Sequence, residues 1–260
     1  MSIAALVLAA GKSSRMGKDK LSLPLPTISG TYTVPAAGQP ATPDRTGIEQ
    51  HLYTCAVVDP NTQISHEKSI PVVSKPVTSV GGHVLKAILA EKRLSPVVIV
   101  HAPYSSPVWR QEVLAWCERK NWQETECADA DRGMSYSIRC GMERIKSSAA
   151  EAVMILLADQ PLVDSLLLGD IIDNWQQSDS ALDYIAASDG RNAQPPVIMA
   201  RHIWDRLDQL TGDQGARQLF RQPDLRGRII PYAEHYFWDA DTPDALQRIR
   251  DHIRCTLDTG

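Results

Sequence analysis

The chain has 260 residues, and 27 Lys plus Arg stand against 31 Asp plus Glu for a formal net charge of −4. Its 43% apolar and 22% charged content is that of a folded globular chain, which excludes intrinsic disorder. No run reaches the ~20 apolar residues of a membrane-spanning helix, and the mild acidity argues against a general nucleic-acid binder.

The length suits one large domain or two small ones, and such a chain buries a core without disulfides. The five cysteines form no CxxC pair, and their odd, scattered placement suits a reducing cytoplasm. Residues 3–9 are a short apolar run ended by glycine. No basic segment precedes it, so it reads as a buried strand rather than a signal sequence. A polar, basic loop follows over residues 11–20.

Residues 24–76 break the pattern that holds elsewhere. They are rich in Pro, Thr, Ser and Gly, with a candidate hairpin around Asp59-Pro60-Asn61. A structureless loop of ~50 residues is unusual in a compact domain, so this stretch reads as an inserted flap or subdomain with some β-structure. Beyond it, residues 79–93 predict a helix and 96–101 a β-branched core strand. Residues 106–120 and 133–146 predict helices, and 152–158 form the most apolar strand, with Asp159 at its end. A helix over 166–176, strands over 184–188 and 197–200, and helices over 201–210 and 214–221 follow. Strands over 228–232 and 236–240 and a helix over 243–254 close the chain.

Strands alternating with helices predict a mostly parallel mixed sheet covered on both faces. Ligands of such sheets bind outside the carboxyl ends of the strands, which directs attention to the loops after Ala9, Ala158 and Ala240. The first loop concentrates Lys12, Arg15, Lys18 and Lys20 against Asp19. Small Ala9, Ala10 and Gly11 let backbone approach a ligand, and loop N–H groups can cradle phosphate. A nucleoside triphosphate suits this loop better than a neutral ligand, although a solvated basic turn has the same composition. It is neither a Walker A loop, whose first glycine would fall at Leu6, nor a GxGxxG fingerprint. The seven histidines show no HxxxH spacing, so no histidine metal site is expected.

The run Leu8-Ala9-Ala10-Gly11-Lys12-Ser13-Ser14-Arg15-Met16-Gly17-Lys18-Asp19-Lys20 resembles the signature loop of the nucleotidyltransferases that attach a nucleotide to molybdopterin. Four more segments match that family in order. They are Gly133-Met134-Ser135-Tyr136-Ser137-Ile138-Arg139, Leu157-Ala158-Asp159-Gln160-Pro161-Leu162-Val163, Thr211-Gly212-Asp213-Gln214-Gly215-Ala216-Arg217 and Asp239-Ala240-Asp241-Thr242-Pro243. Ala10 stands where guanylyltransferase relatives carry glycine, so the chain most resembles the molybdenum cofactor cytidylyltransferases.

The resemblance implies a Rossmann-like three-layer α/β/α nucleotidyltransferase fold, one domain over 1–260 interrupted by the insertion at 24–76. It implies transfer of CMP from CTP, or another NTP, to molybdopterin, with Mg²⁺ as cofactor and a molybdoenzyme as possible client. Lys20, Arg15, Asp159 and Asp241 are the implied catalytic residues, with Asp159 and Asp241 as metal ligands. Leu8, Ala9, Ala10, Gly11, Lys12, Ser13, Arg15, Lys20, Ser135 and Ser137 would bind nucleotide. Gln194, Pro195, Asp213, Gly215 and Arg217 would bind the acceptor, although Ala193-Gln194-Pro195 departs from the family's Gly-His-Pro or Gly-Asn-Pro. Alternatives stay open. Asp159 is also a plausible turn or cap, and Asp241 a cap for the helix at Pro243. Asp239 shares a predicted strand face with Asp241 and is a second candidate ligand. Ser135 and Ser137 suit a helix cap, and Arg217 a surface helix.

Overall fold

The computed structural model describes residues 2–11, 16–26, 77–114, 121–178 and 182–258. Lys12, Ser13 and Arg15 of the basic loop lie outside these residues, as does residue 27 to residue 76 of the expected flap.

Seven strands form the main sheet: β1 (Ile3–Ala9), β4 (Leu94–His101), β5 (Trp122–Glu126), β6 (Ala152–Leu157), β7 (Tyr184–Ser188), β8 (Ala193–Ala200) and β9 (Gly227–Pro231). Their order is β5-β4-β1-β6-β8-β7-β9. Neighbours pair in parallel except at β8, which is antiparallel to both β6 and β7. This is the mostly parallel mixed sheet read from the sequence. A separate ribbon pairs β2 (Pro24–Pro26) antiparallel to β3 (Val77–Ser79). Pro26 and Val77, on either side of residues 27–76, therefore lie side by side.

β1 shows why the sheet must be covered twice. All seven of its residues are buried. Ile3, Ala5, Val7 and Ala9 face one core, and Ala4, Leu6 and Leu8 face the other. Strand alternation sends neighbouring side chains to opposite faces, and a strand apolar at every position needs a partner layer on each. The first layer holds α1 (Val80–Ala90), α2 (Val108–Leu114), α4 (Ser165–Gln176) and α6 (Pro243–Asp258), through Leu85, Trp109, Ile171 and Ile249. The second holds α3 (Met134–Lys146) and α5 (Trp204–Asp208), through Ile138, Met142 and Leu207. Burying each such side chain contributes roughly 1.5–3 kcal/mol relative to exposure.

Local expectations change in several places. β5 was not predicted at all. The span 236–240 is not a strand: a 3-10 turn runs from Glu234 to Phe237 and irregular chain follows. Asp239 and Asp241 therefore share no strand face. β8 begins four residues earlier than expected, through Pro195 and Pro196. A strand tolerates them because its pairing with β7 shifts there: Ala186 pairs with Val197, and Ala187 with Gln194. The prolines occupy this bulge, where no ladder N–H is required of them.

Candidate active site

The site stands at the carboxyl ends of β1 and β6. The backbone N–H of Ala158 donates to the Leu8 carbonyl at 3.0 Å, tying the two strand ends together. Leu8, Ala9 and Ala10 are buried and Gly11 is exposed, so the strand surfaces into the basic loop at that point. The chain then returns as a 3-10 turn over Lys20–Ser22.

Three side chains from distant parts of the sequence meet here. The Lys20 ammonium donates to Asp159 Oδ2 at 2.5 Å and to Asp241 Oδ1. The Lys20 side chain is only 7% exposed, whereas Asp241 is 43% exposed, so the cluster opens toward solvent on the Asp241 side. Burial works to lower the Lys20 ammonium, but Asp159 and then Asp241 outweigh it and hold it above its ordinary value.

The capping alternatives resolve. Helix α4 is capped by Asp164, which accepts from Leu167 N at 2.8 Å. Helix α6 is capped by Thr242, whose hydroxyl accepts from Ala245 N at 3.1 Å. Asp159 and Asp241 are thus left to the cluster. Ala240 N donates to the Asp159 carbonyl at 3.0 Å, which sets the two acidic loops against each other.

Asp239 lines the same cleft, surrounded by protein yet reached by solvent. Burial first, and the Asp159 and Asp241 charges with it, push its carboxyl up to about 7, against the hydrogen bond from Gln160 and the charge of Lys20. Gln160 is itself 1% exposed, and its Oε1 has no partner among the described residues. Sequence reasoning passed over Gln160. Its place beside Asp159 in the matched segment was the available signal.

The described residues hold no group of three or more His, Cys, Asp or Glu in metal-holding geometry. Two carboxylates aimed at one cationic atom nevertheless fit a hard divalent ion of the Mg²⁺ type. Such an ion takes one or two carboxylates and completes its shell with water and substrate phosphate.

Helix α3, packed against β1 and β4, starts with no side-chain cap at Gly133. Ser135 and Ser137 are buried, and Ser135 Oγ has no partner among the described residues. Neither serine acts as the cap. Two guanidinium groups lie over the Tyr136 ring, Arg132 at 4.4 Å and Arg139 at 4.3 Å from its centre. Arg139 also donates to the Leu210 carbonyl at 2.5 Å, just before the loop that carries the predicted acceptor residues.

That loop, Gly212–Arg221, interlocks with the α3 turn. A Cβ on Gly133 would come within 2.8 Å of Asp213 Oδ1 and of the Gly212 backbone. A Cβ on Gly215 would come within 2.5 Å of Met134 Sδ. Gly215 has φ 54 and ψ −144, a conformation open essentially to glycine alone, and it breaks the expected helix over 214–221. Arg217 Nη2 donates to Gln194 Oε1 at 3.2 Å, so two predicted acceptor residues touch. Ile155 pairs antiparallel with Val197, which brings Pro195 and Gln194 level with the end of β6, on the edge that carries Asp159.

Comparisons with known proteins bear on the family and the fold. A family model described as a MobA-like NTP transferase domain matches residues 67–227. The match takes in the α3 turn, Asp159, Gln194 and the Gly215 loop, but neither the basic loop nor Asp241. The chain is 25% identical over 246 residues to the purine catabolism protein PucB of Bacillus subtilis, covering 94% of this chain and 93% of that one. Among solved structures, the Rv0371c protein of Mycobacterium tuberculosis superposes with a TM-score of 0.63 at 19% identity, over 96% of this chain and 97% of that one. A complex of Rv0371c with manganese superposes with a TM-score of 0.59 at 18% identity, over 96% and 99%. A CMP:2-keto-3-deoxy-manno-octonic acid synthetase complexed with CTP superposes at 0.58 and 13% identity, over 99% and 100%. These structural likenesses establish the nucleotidyltransferase fold.

Proposed function

Because the chain belongs to the MobA-like NTP transferase family, we propose that it transfers CMP from CTP to the terminal phosphate of molybdopterin-bound molybdenum, releasing pyrophosphate. The observation that carries this reading is the Lys20 ammonium held between Asp159 and Asp241, on the sheet edge where Gln194 and Arg217 meet. In the reaction a terminal phosphate oxygen of the acceptor attacks the α-phosphorus of CTP. A new P–O bond forms, the bond to the bridging oxygen breaks, and pyrophosphate leaves. The attacking oxygen is already anionic, so no strong base is needed. The protein's task is to hold two polyanions together and neutralise the charge that builds on the reacting phosphorus.

In this reading Lys20 meets the reacting phosphate, and Lys12 and Arg15 line the triphosphate. Backbone from Leu8 to Gly11, with Ser13, Ser135 and Ser137, holds the nucleotide. Ser135 Oγ, buried without a partner among the described residues, suits a ligand that supplies one. Asp159 and Asp241 hold the divalent ion, Mg²⁺ by preference, which when bound adds positive charge to the phosphates. Arg217, Asp213 and Gly215 with Gln194 and Pro195 receive the acceptor, where Arg217 can bind phosphate as a fork. The chain is then one catalytic domain, and residues 24–76 are a flap or docking surface for a molybdoenzyme client. No described helix is long and apolar enough to cross a membrane.

Pyrophosphate release, measured with molybdopterin-bound molybdenum and each NTP in turn, tests the reading. Turnover with CTP is expected. Turnover with GTP alone overturns the cytidylyl assignment, and turnover only with a sugar or alditol phosphate overturns the acceptor. The relative named for purine catabolism favours a second reading, a non-catalytic accessory that delivers molybdopterin to a xanthine-dehydrogenase-like enzyme. Tight pterin binding with no turnover of any NTP would select it.

A further inference from the structure

The segment that carries Lys20 is a single 3-10 turn of three residues. So short an element has almost no hydrogen bonds of its own with which to fix a side chain. Its hold comes from the preceding residue. The Asp19 carboxylate accepts from Leu21 N at 3.2 Å through Oδ1. Through Oδ2 it accepts from the Ser22 hydroxyl at 3.0 Å and from Ser106 N at 3.1 Å. The first two bonds close the turn. The third reaches the loop after β4 and fastens the turn to the sheet.

That loop is itself held by a side chain of the following helix. Arg110 is 4% exposed and lies beneath it. Its guanidinium donates to the Ser106 carbonyl at 3.1 Å and to Ser105 Oγ at 3.3 Å. Its Nε donates to Glu124 Oε2 at 2.6 Å. A continuous path therefore runs from the polar edge strand β5 through Arg110, Ser106 and Asp19 to the backbone of Lys20. Asp19 and Lys20 have opposite charges and are adjacent in sequence, yet the bonds that place them run in different directions. Lys20 turns to Asp159 and Asp241, and Asp19 turns to the loop.

We propose that Asp19 is a positioning residue: it holds the Lys20 turn against the loop after β4, so that the ammonium sits between Asp159 and Asp241 before any substrate arrives. Its consequence for turnover rests on the function proposed above. The positioning itself does not, and the test separates the two.

The test is trace acetylation of the full-length protein with acetic anhydride, read lysine by lysine by mass spectrometry. Acylation needs a free amine, and an ammonium held by two carboxylates reacts slowly. In Asp19→Ala, Lys20 labelling should rise at least about five-fold while exposed Lys92 and ion-paired Lys146 keep wild-type rates. Ser22→Ala removes one of the three bonds and should raise Lys20 labelling about two-fold. A mere cap would lower the melting temperature of Asp19→Ala and leave Lys20 labelling unchanged, which overturns the proposal. A rise spread equally over all lysines in Asp19→Ala, with no rise in Ser22→Ala, also overturns it. With turnover established, Asp19→Ala should lower kcat about ten-fold and move the KM for CTP less than two-fold. Selective exposure of Lys20 in a protein that turns over no NTP would support the positioning and remove the transferase reading.

Discussion

The donor and acceptor halves of the cleft are built by different means. The donor half is organised by charge: Lys20, Asp159 and Asp241 arrive from three loops and are drawn together as an ammonium between two carboxylates. The acceptor half is organised by shape. Gly133 lies under Gly212 and Asp213, Gly215 lies under Met134, and the polar contact between Gln194 and Arg217 is longer, at 3.2 Å. A charge cluster is already close to the geometry that a polyphosphate and a cation require. A shape-built loop fixes backbone and leaves its side chains to the ligand. Chemistry is therefore expected to depend on the first half and acceptor choice on the second.

The largest expected effect follows from the charge. Lys20→Ala and Asp159→Ala should each cost at least ~2 kcal/mol in transition-state stabilisation, about thirty-fold in kcat/KM. Steady-state pyrophosphate release measures this. Wild-type rates in both variants would dissolve the distinction between the halves, because the assembled charges would then have no part in the reaction.

The same contrast governs what the sequence made legible. Lys20, Asp159 and Asp241 could be singled out because each lies in a segment that resembles the family, and the structure brings the three side chains into one cluster. The two-faced core of β1 was readable from its unbroken apolar run. Strand β5 was not, because Trp122–Glu126 is an edge strand with most side chains in solvent, and such a strand carries no apolar periodicity. Tyr236-Phe237-Trp238 had the composition of a strand, but these aromatics pack into the core edge from a 3-10 turn. The early start of β8 through Pro195 and Pro196 rests on a bulge set by the β7 pairing, which is non-local. The interlock of Gly133 with Gly212, and Asp19 as the clamp of the Lys20 turn, depend on contacts between segments far apart in sequence.

An intermediate effect is expected in the acceptor half from Gly215→Ala. The new methyl would meet Met134 Sδ at 2.5 Å, in a backbone conformation that disfavours any side chain. Such strain costs of order 1–3 kcal/mol, read as a lower denaturant midpoint. The acceptor KM should rise while the KM for CTP changes little. Met134→Ala should recover part of the loss in the double variant, since it removes the opposing atom but leaves the strained φ. An equal rise in both KM values would show that the α3 turn transmits the strain and that the halves are not separable.

A further effect, on stability rather than turnover, concerns acid and should belong to the donor side alone. His83, on α1 beneath the β2–β3 ribbon, is pushed down to about 4, by burial first and by the nearby Lys86 charge second, against a hydrogen bond to the Pro26 carbonyl. The unfolded chain binds that proton near pH 6.5, so the unfolded state takes up the proton first as pH falls. The contribution of His83 is then complete above about pH 6.5 and is lost progressively between pH 6.5 and 4. Its span is roughly 2 kcal/mol once partial solvent access is allowed for. His83→Gln should flatten this part of the stability–pH curve in urea titrations without altering the acceptor KM. If the wild-type slope persists in the variant, another group carries it. The ribbon foot would then share the acid response of the whole chain, rather than giving the donor side one of its own.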